Sequence, residues 1–154
     1  MPELGNMIRP IVICVFRQGP QILVAEGTDP ATGEVFYRPL GGGIEFGESS
    51  ADALRREIRE ELGTEIEDLK LLGVLENRFV YDDALGHEIV FVYDAAFVDR
   101  RLYDVPAPEG LESDGSVIPA IWLDLNRYVQ GSPPVYPDGL IELLCRSCSM
   151  RTRS

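Results

Sequence analysis

The chain has 154 residues and a formal net charge of −12, because 26 aspartates and glutamates face only 14 lysines and arginines. A chain of this length is most simply one domain, residues 1–154, and it can bury roughly 70% of the surface that its unfolded form exposes. Long nucleic acids and anionic membranes normally bind basic surfaces, so the acidic balance argues against either as a partner.

The N-terminal region shows no sign of export or membrane insertion. Its apolar run, Ile11 to Phe16, is far shorter than the roughly 20 residues of a membrane-spanning helix. The first charged residue, Glu3, is acidic, which is unlike the basic segment that opens a signal peptide. Three cysteines, Cys14, Cys145 and Cys148, fit reduced thiols better than a disulfide framework. We therefore expect a cytoplasmic protein.

The first third of the chain predicts short strands followed by a helix. Runs rich in β-branched residues at Arg9–Arg17 and Gln21–Glu26 flank a Gln-Gly-Pro turn, and Val35–Leu40 forms a third strand. Ser49 is a suitable N-cap and Gly63 a suitable residue just past a helix end. These signals predict a helix from about residue 50 to residue 62.

The remaining elements are mostly strands. Two long strands, Leu69–Asp83 and His87–Tyr103, are predicted on either side of a turn at Ala84–Gly86. Val117–Leu125 predicts another strand, and Asp138–Ser149 a C-terminal helix. Because strands outnumber helices and the order is no regular βαβ repeat, we expect an α/β fold of the α+β type, with helices flanking a mixed sheet.

The predicted helix carries two separate faces. An apolar stripe of Ala51, Leu54, Ile58 and Leu62 is expected to pack on the sheet. Glu57, Glu60 and Glu61 occupy an arc of their own, although like charges four residues apart cost a helix about 0.2–0.5 kcal/mol per pair. An ordinary solvated surface is the alternative, because glutamate is a good helix former.

Three consecutive glycines, Gly41, Gly42 and Gly43, precede this helix. Without side chains they let the backbone come close to a ligand or ion. Backbone carbonyl and carboxylate oxygens together are the ligands that Mg²⁺ prefers. The pairing of glycines with three glutamates therefore indicates a metal site.

The spacing of these residues resembles a known signature. Gly42, five residues, Glu48, seven residues and then Arg-Glu-Ile-Arg-Glu-Glu-Leu-Gly-Thr at residues 56–64 is similar to the box of the Nudix hydrolases. The one departure is Thr64, where the family has an aliphatic residue. The resemblance implies an α/β/α sandwich, a single Nudix domain, and Mg²⁺- or Mn²⁺-dependent hydrolysis of a diphosphate linkage in a small nucleotide derivative.

The resemblance also implies roles for individual residues. Glu57, Glu60 and Glu61 correspond to the metal-binding carboxylates, and the Gly41 carbonyl is a backbone ligand. Arg56 corresponds to a residue that holds a glutamate in place by ion pairing.

The general base is open between two glutamates. Glu60 is our choice, because one carboxylate must accept the proton of the attacking water. Glu112, in the acidic loop between Asp104 and Gly115, is the alternative as base or fourth metal ligand. Glu45 and Glu48 are expected to be structural.

Substrate recognition is less well defined by the sequence. Arg38 could contact a substrate phosphate or could be an arginine on an edge strand. Tyr81 lies 17 residues past Thr64, which is similar to Nudix members that act on diadenosine polyphosphates, but it could equally be a strand aromatic. His87 and the Cys145–Cys148 pair are expected to lie outside the chemistry. ADP-ribose, dinucleoside polyphosphates, nucleotide sugars and nucleoside triphosphates all stay open as substrates.

Two functional classes follow from these patterns. The first is a Nudix-type pyrophosphohydrolase, and the second is a nucleotide-binding or regulatory module of the same fold without catalysis. A homodimer is one of the assemblies left open. The three intact glutamates favour the enzyme, since a binding module has no need of all three.

Overall fold

A computed structural model describes residues 7–105, 110–111, 117–128 and 133–151. The elements in chain order are β1 (Ile8–Val15), β2 (Arg17–Gln18), β3 (Gln21–Thr28), β4 (Val35–Arg38), β5 (Leu40–Gly43), α1 (Ser50–Leu62), β6 (Ile66–Tyr81), β7 (Ala84–Phe97), a 3₁₀ helix (Arg100–Tyr103), β8 (Gly110–Leu111), β9 (Val117–Ile118), β10 (Ala120–Asp124) and α2 (Leu140–Arg151).

The strands form two principal sheets. The larger sheet has the order β5–β1–β7–β6, in which β1 and β7 are parallel and the outer pairs are antiparallel. The smaller sheet has the order β10–β3–β2, with β4 also paired to β3. A mixed sheet with flanking helices is therefore confirmed.

From Ile11 to Val15, strand β1 is buried on both faces, and this explains the apolar run of that segment. Val12 and Cys14 pack in one core with Leu54 of α1, whereas Ile11 and Ile13 pack in a second core. That second core also contains Leu140 and Leu144 of α2. Because successive side chains of a strand point to opposite faces, the two helices cover opposite sides of the sheet.

Helix α1 begins and ends where its capping residues predict. The backbone N–H of Asp52 donates to Ser49 Oγ at 3.1 Å, and Gly63 adopts a left-handed conformation with φ of 66°. The Gly63 N–H donates to the Arg59 carbonyl. In addition, the Ser50 and Tyr93 hydroxyl groups share a hydrogen bond of 2.7 Å, which ties the first turn of α1 to β7.

The turn predicted at Ala84–Gly86 is wrong. Tyr81 pairs directly with Ala84, so the turn consists of Asp82 and Asp83, whose φ angles are 52° and 60°. A two-residue hairpin turn of this kind needs positive φ at both positions, and aspartate tolerates that conformation better than most residues. The glycine at position 86 instead lies within β7, beside the ring of Phe79.

Other differences concern the ends of strands. β6 starts at Ile66, earlier than expected, and β7 ends at Phe97. The segment from Arg100 to Tyr103, expected to continue the strand, forms a 3₁₀ helix. In the described stretches, none of the helices combines the length and apolar character needed to cross a membrane.

Candidate active site

Helix α1 is fixed to the sheet by its apolar face, and this orients its glutamates. Ala53, Leu54 and Ile58 are fully buried. Glu57 is turned inward, with 17% of its side chain exposed, whereas the Glu60 side chain is 59% exposed. The predicted glutamate arc thus runs from the protein interior to solvent.

The glycines and the helix meet at Glu57. Gly42 pairs with Val12, whose side chain faces α1, so the Cα of Gly42 also faces the helix. A Cβ atom at Gly42 would overlap the Glu57 carboxyl group and lie 2.6 Å from Oε1. A Cβ at Gly41 would instead overlap the carbonyl of Val12. Gly41 and Gly42 therefore lie so close to neighbouring atoms that neither position has room for a side chain.

Arg56 is the centre of the charged network. Its Nε and Nη2 donate to the two carboxylate oxygens of Glu48, both at 2.9 Å. Its Nη1 donates to Glu57 Oε1 at 2.9 Å and to Glu60 Oε2 at 3.4 Å. Nη2 also donates to the Gly43 carbonyl at 3.0 Å. One guanidinium thus joins the glycine strand, the connecting loop and the glutamate arc, which makes Glu48 a structural anchor of Arg56.

The network shifts the acidities of its members in different directions. Hydrogen bonds from Arg56 lower the pKa of Glu48 to about 2. The same bonds raise the pKa of Arg56 above its usual value. Burial raises the pKa of Glu57, and its hydrogen bond with Arg56 only partly opposes this. The surroundings of Glu57 therefore disfavour its negative charge.

The donor atoms suit a divalent cation, but they are not gathered around a common point. Among the described residues, no three His, Cys, Asp or Glu side chains converge closely enough to hold a metal ion. Glu57 Oε1 and Glu60 Oε2 both accept hydrogen bonds from Arg56 Nη1, and Oε2 of Glu61 is shielded from solvent. Carboxylate oxygens beside a glycine backbone are nevertheless the chemistry that Mg²⁺ prefers.

The other predicted site residues lie away from α1. Arg38 lines a small cavity between the two sheets. Tyr81 is at the end of β6, where its ring packs edge-on against Phe36 with 6.2 Å between centroids. Glu112 lies outside the described residues. The structure thus brings together Arg56, Glu57 and Glu60, but it places Arg38 and Tyr81 in a different region.

The residues expected to lie outside the chemistry have ordinary surroundings. His87 contacts the exposed Glu76 at 3.0 Å. Cys145 is exposed on α2, and the side chain of Cys148 lies outside the described part. Burial, with the nearby Asp94 carboxylate, raises the pKa of the Cys14 thiol well above its usual value, so this cysteine stays protonated.

Sequence reasoning missed one buried carboxylate. Glu88 is 6% exposed and lies on β7. It occupies the inward position of an alternating pattern that continues with Val90 and Val92. A charged residue at an inward position of a strand was the signal that could have revealed it.

The fold is an α/β/α sandwich. At the site, Arg56 of α1 donates to the Gly43 carbonyl of β5 and to Glu57 and Glu60 of its own helix. The NUDIX domain family model matches residues 7–139. The chain belongs to this family.

The matching relatives show how far the similarity reaches. The chain is 32% identical over 114 residues to a Pasteurella multocida protein named NAD-capped RNA hydrolase NudC, covering 67% of this chain and 41% of that protein. It therefore spans less than half the length of this curated relative.

Solved structures support the fold. A NUDIX hydrolase from Nitrosomonas europaea superposes with a TM-score of 0.65 and 19% identity, covering 93% of this chain and 90% of the other. A UDP-X diphosphatase superposes with a TM-score of 0.62 and 20% identity, covering 95% and 65%. At these identities the likeness shows the fold alone.

Proposed function

We propose that this chain is a metal-dependent hydrolase that cleaves a diphosphate linkage in a small nucleoside diphosphate derivative. The observation that carries the proposal is the Glu57 carboxylate, held between Gly42 and the Arg56 guanidinium. A structural helix has no need to bury part of a carboxylate against a glycine strand. A relative supports the same class, since the Pasteurella multocida protein is named as a hydrolase of NAD-capped RNA.

In this proposal Glu57, Glu60, Glu61 and the Gly41 carbonyl hold Mg²⁺ or Mn²⁺. When bound, the cation supplies positive charge that offsets the carboxylates and the diphosphate and polarises a phosphoryl oxygen. The cation also reduces electrostatic repulsion, because a chain with net charge −12 would otherwise repel an anionic substrate.

The protein's own groups have distinct tasks in the reaction. Arg56 orients Glu57 and is itself oriented by the bidentate contact with Glu48. Glu60 is more exposed and has only a long contact with Arg56, 3.4 Å, so its second oxygen is accessible to water. We assign Glu60 as the group that accepts the proton of the attacking water, with Glu112 as the alternative.

The acidic charge and the odd number of cysteines support two further parts of the proposal. The substrate is a small nucleotide derivative and no long nucleic acid or membrane surface, and the protein acts in the cytoplasm. A homodimer is compatible with both parts.

A nucleotide-binding module without catalysis is the competing function. One observation favours it: among the described residues, no three acidic or other metal-binding side chains converge. In the hydrolase, Glu57 and Glu60 would hold the cation while one oxygen of each accepts from Arg56.

The test is a hydrolysis assay with Mg²⁺ on ADP-ribose, diadenosine polyphosphates, nucleotide sugars and nucleoside triphosphates. Wild type is compared with Glu57→Gln, Glu60→Gln and Glu61→Gln. Glu65→Gln is the matched control, because Glu65 is an exposed carboxylate just past α1 whose side chain pairs with Arg59. We expect turnover of at least one substrate and losses of about 10²-fold or more in kcat in the three α1 variants.

Two results would contradict this assignment. Full activity in the three variants would remove the α1 glutamates from the site. Binding of a nucleotide without turnover by the wild type would establish the binding module instead.

A further inference from the structure

Strand β6 forms one outer edge of the larger sheet. In the order β5–β1–β7–β6, it pairs with β7 on one side only. Among the described residues, no other strand pairs with β6 and no backbone hydrogen bond from a loop reaches it. An open strand edge of this kind is a template for pairing with a further strand.

The second half of β6 is the regular part of this edge. The register with β7 shifts between Glu67 and Lys70 and again between Leu71 and Gly73. From Gly73 to Tyr81 the pairing runs without a shift. Because bulges and irregular registers protect a sheet edge from pairing, the stretch that can accept another strand is residues 73–81.

The sequence of this stretch is symmetric about its centre. Residues 74–80 read Val-Leu-Glu-Asn-Arg-Phe-Val, with Asn77 in the middle. An antiparallel pair of identical strands has a twofold axis between directly opposite residues. With that axis at Asn77, Glu76 lies opposite Arg78 of the second copy, and Val74 lies opposite Val80 of the second copy. Each of these contacts occurs twice, so the strand is complementary to itself.

The side chains that would meet are exposed. Their cross-strand partners on β7 alternate with the buried Glu88 and Val90, so the four residues share one face of the sheet. Val74 is 50% and Val80 65% exposed, the Glu76 side chain is 62% exposed, and Arg78 is exposed as well. Glu76 Oε1 contacts His87, and a carboxylate has a second oxygen that can accept from a guanidinium.

A shallow groove runs along the same stretch. It has a volume of about 350 Å³ and is lined by Glu76, Arg78, Phe79, Val80, Leu85 and Asp138. Leu85 is 67% exposed and lies directly across from Val80. In the twofold register, Val74 of the second copy would extend the apolar row that Leu85 and Val80 begin.

The local charge also permits two copies to meet. The chain as a whole carries a net charge of −12, but residues 73–81 contain one glutamate and one arginine and are neutral. Repulsion between the more distant charges is screened beyond roughly 8 Å at physiological salt. Opposite charges directly across a strand pair stabilise it, whereas like charges there destabilise it.

We propose that β6 is a homodimer interface. Two copies of this chain pair antiparallel through residues 73–81 about a twofold axis at Asn77, which joins their two four-stranded sheets into one. The occupant is a second copy because the symmetric placement of charges and valines about Asn77 is complementary to the same sequence. Strand β6 lies at the opposite edge of the sheet from the glycine strand β5, so the interface leaves the α1 site open and does not rest on the proposed hydrolysis.

The test measures self-association by analytical ultracentrifugation, without nucleotide or cation. Concentrations from about 1 to about 500 µM cover the dissociation constants of small, transient interfaces. Wild type is compared with Glu76→Arg, with Arg78→Glu and with the double variant that carries both substitutions. Arg127→Glu is the control, because it makes the same change of charge on a side chain that is 89% exposed and follows β10.

We expect the wild type to form a dimer that dissociates on dilution. Each single substitution places like charges opposite one another and should weaken the dimer about tenfold or more. The double variant exchanges the two charges and should associate within about threefold of the wild type. Arg127→Glu should do the same.

Mixing the two single variants gives a second, independent measurement. In a mixed pair both contacts join opposite charges, because one copy has two arginines and the other two glutamates at these positions. An equimolar mixture should therefore form a heterodimer at least as tight as the wild-type dimer. A defect of folding in either single variant could not produce that result.

Three outcomes would overturn the interface. A wild type that stays monomeric over the whole range would leave the edge to a strand of some other protein. A dimer that neither single substitution weakens would lie on another surface. Weakening by both substitutions, with recovery neither in the double variant nor in the mixture, would rule out the twofold register at Asn77. Hydrolysis is assayed separately, so loss of the hydrolase proposal would leave this result unchanged.

Discussion

The two sides of the larger sheet differ in whether their charged side chains form ion pairs. On the α1 side, one guanidinium contacts Glu48, Glu57 and Glu60. On the other side, Glu88 and Arg38 line one cavity, and neither has an ion pair among the described residues. The charges on the α1 side hold one another in position, whereas Glu88 and Arg38 form no ion pair with each other although they line the same cavity. The arrangement on the α1 side suits the positioned carboxylates that the proposed hydrolase needs.

Gly42→Ala should have the largest effect, because it directly disturbs the contact between Glu57 and Arg56. The new Cβ would overlap the Glu57 carboxyl group and displace it from Arg56. Misplacement of a catalytic group by about 1 Å can cost about 10²-fold in rate, so we expect kcat/KM to fall by about that factor. The value of kcat/KM is measured by steady-state kinetics on the substrate that the wild type hydrolyses in the assay described above.

Gly43→Ala is the matched control for this substitution. Its Cβ would meet nothing nearer than Arg9 Nη2 at 3.7 Å, and the carbonyl that accepts from Arg56 is retained. Equal losses of kcat/KM in the two variants would show that activity depends on the conformation of β5 and not on the contact between Gly42 and Glu57.

Arg56→Gln should have the next largest effect, since it leaves four carboxylates, those of Glu45, Glu48, Glu57 and Glu60, without their common partner. Hydrogen bonds to charged groups contribute roughly 1.5–3 kcal/mol each, but Arg56 is partly solvated, so we expect a loss of about 2 kcal/mol in the free energy of unfolding. Urea denaturation measures it. Arg55→Gln, which removes only an exposed contact with Asp52, should change stability little, and an equal loss there would contradict the central role of Arg56.

The ion pair between Glu48 and Arg56 should give a pH-dependent contribution. The usual pKa of this carboxyl, 4.5, falls to about 2 in the folded protein. Its stabilisation is therefore fully present above about pH 4.5 and is lost as the pH falls through about 2. The difference in melting temperature between wild type and Glu48→Gln should be constant from pH 7 to pH 5 and shrink below that range. A difference that grows on acidification would contradict this account.

Glu65→Gln should have the smallest effect. Glu65 forms a short contact with Arg59 at 2.7 Å, but both side chains are more than half exposed. Exposed ion pairs contribute little because water and salt screen them, so we expect a change in melting temperature within about 2 °C. A larger change would show that pairing itself, without burial, stabilises this acidic protein.

Much of the α1 region could be predicted because its signals are local. Ser49 and Gly63 bracket the helix in the sequence, and both caps form as expected. The expected ion pair of Arg56 with a glutamate of its own helix is also present. In contrast, the turn between β6 and β7 was misplaced, because a glycine at position 86 is a stronger local signal than the two aspartates that form the turn.

The sequence by itself determined the family, the α1 helix and the charged residues that surround it, because these depend on spacings of a few residues along one segment. Only the tertiary structure decided that Gly42 abuts Glu57 and that Glu88, Arg38 and Tyr136 line one cavity. The cavity residues come from strands far apart in the chain and from the segment before α2. Their proximity depends on the parallel pairing of β1 with β7 and on the packing of the second sheet, which no local pattern specifies.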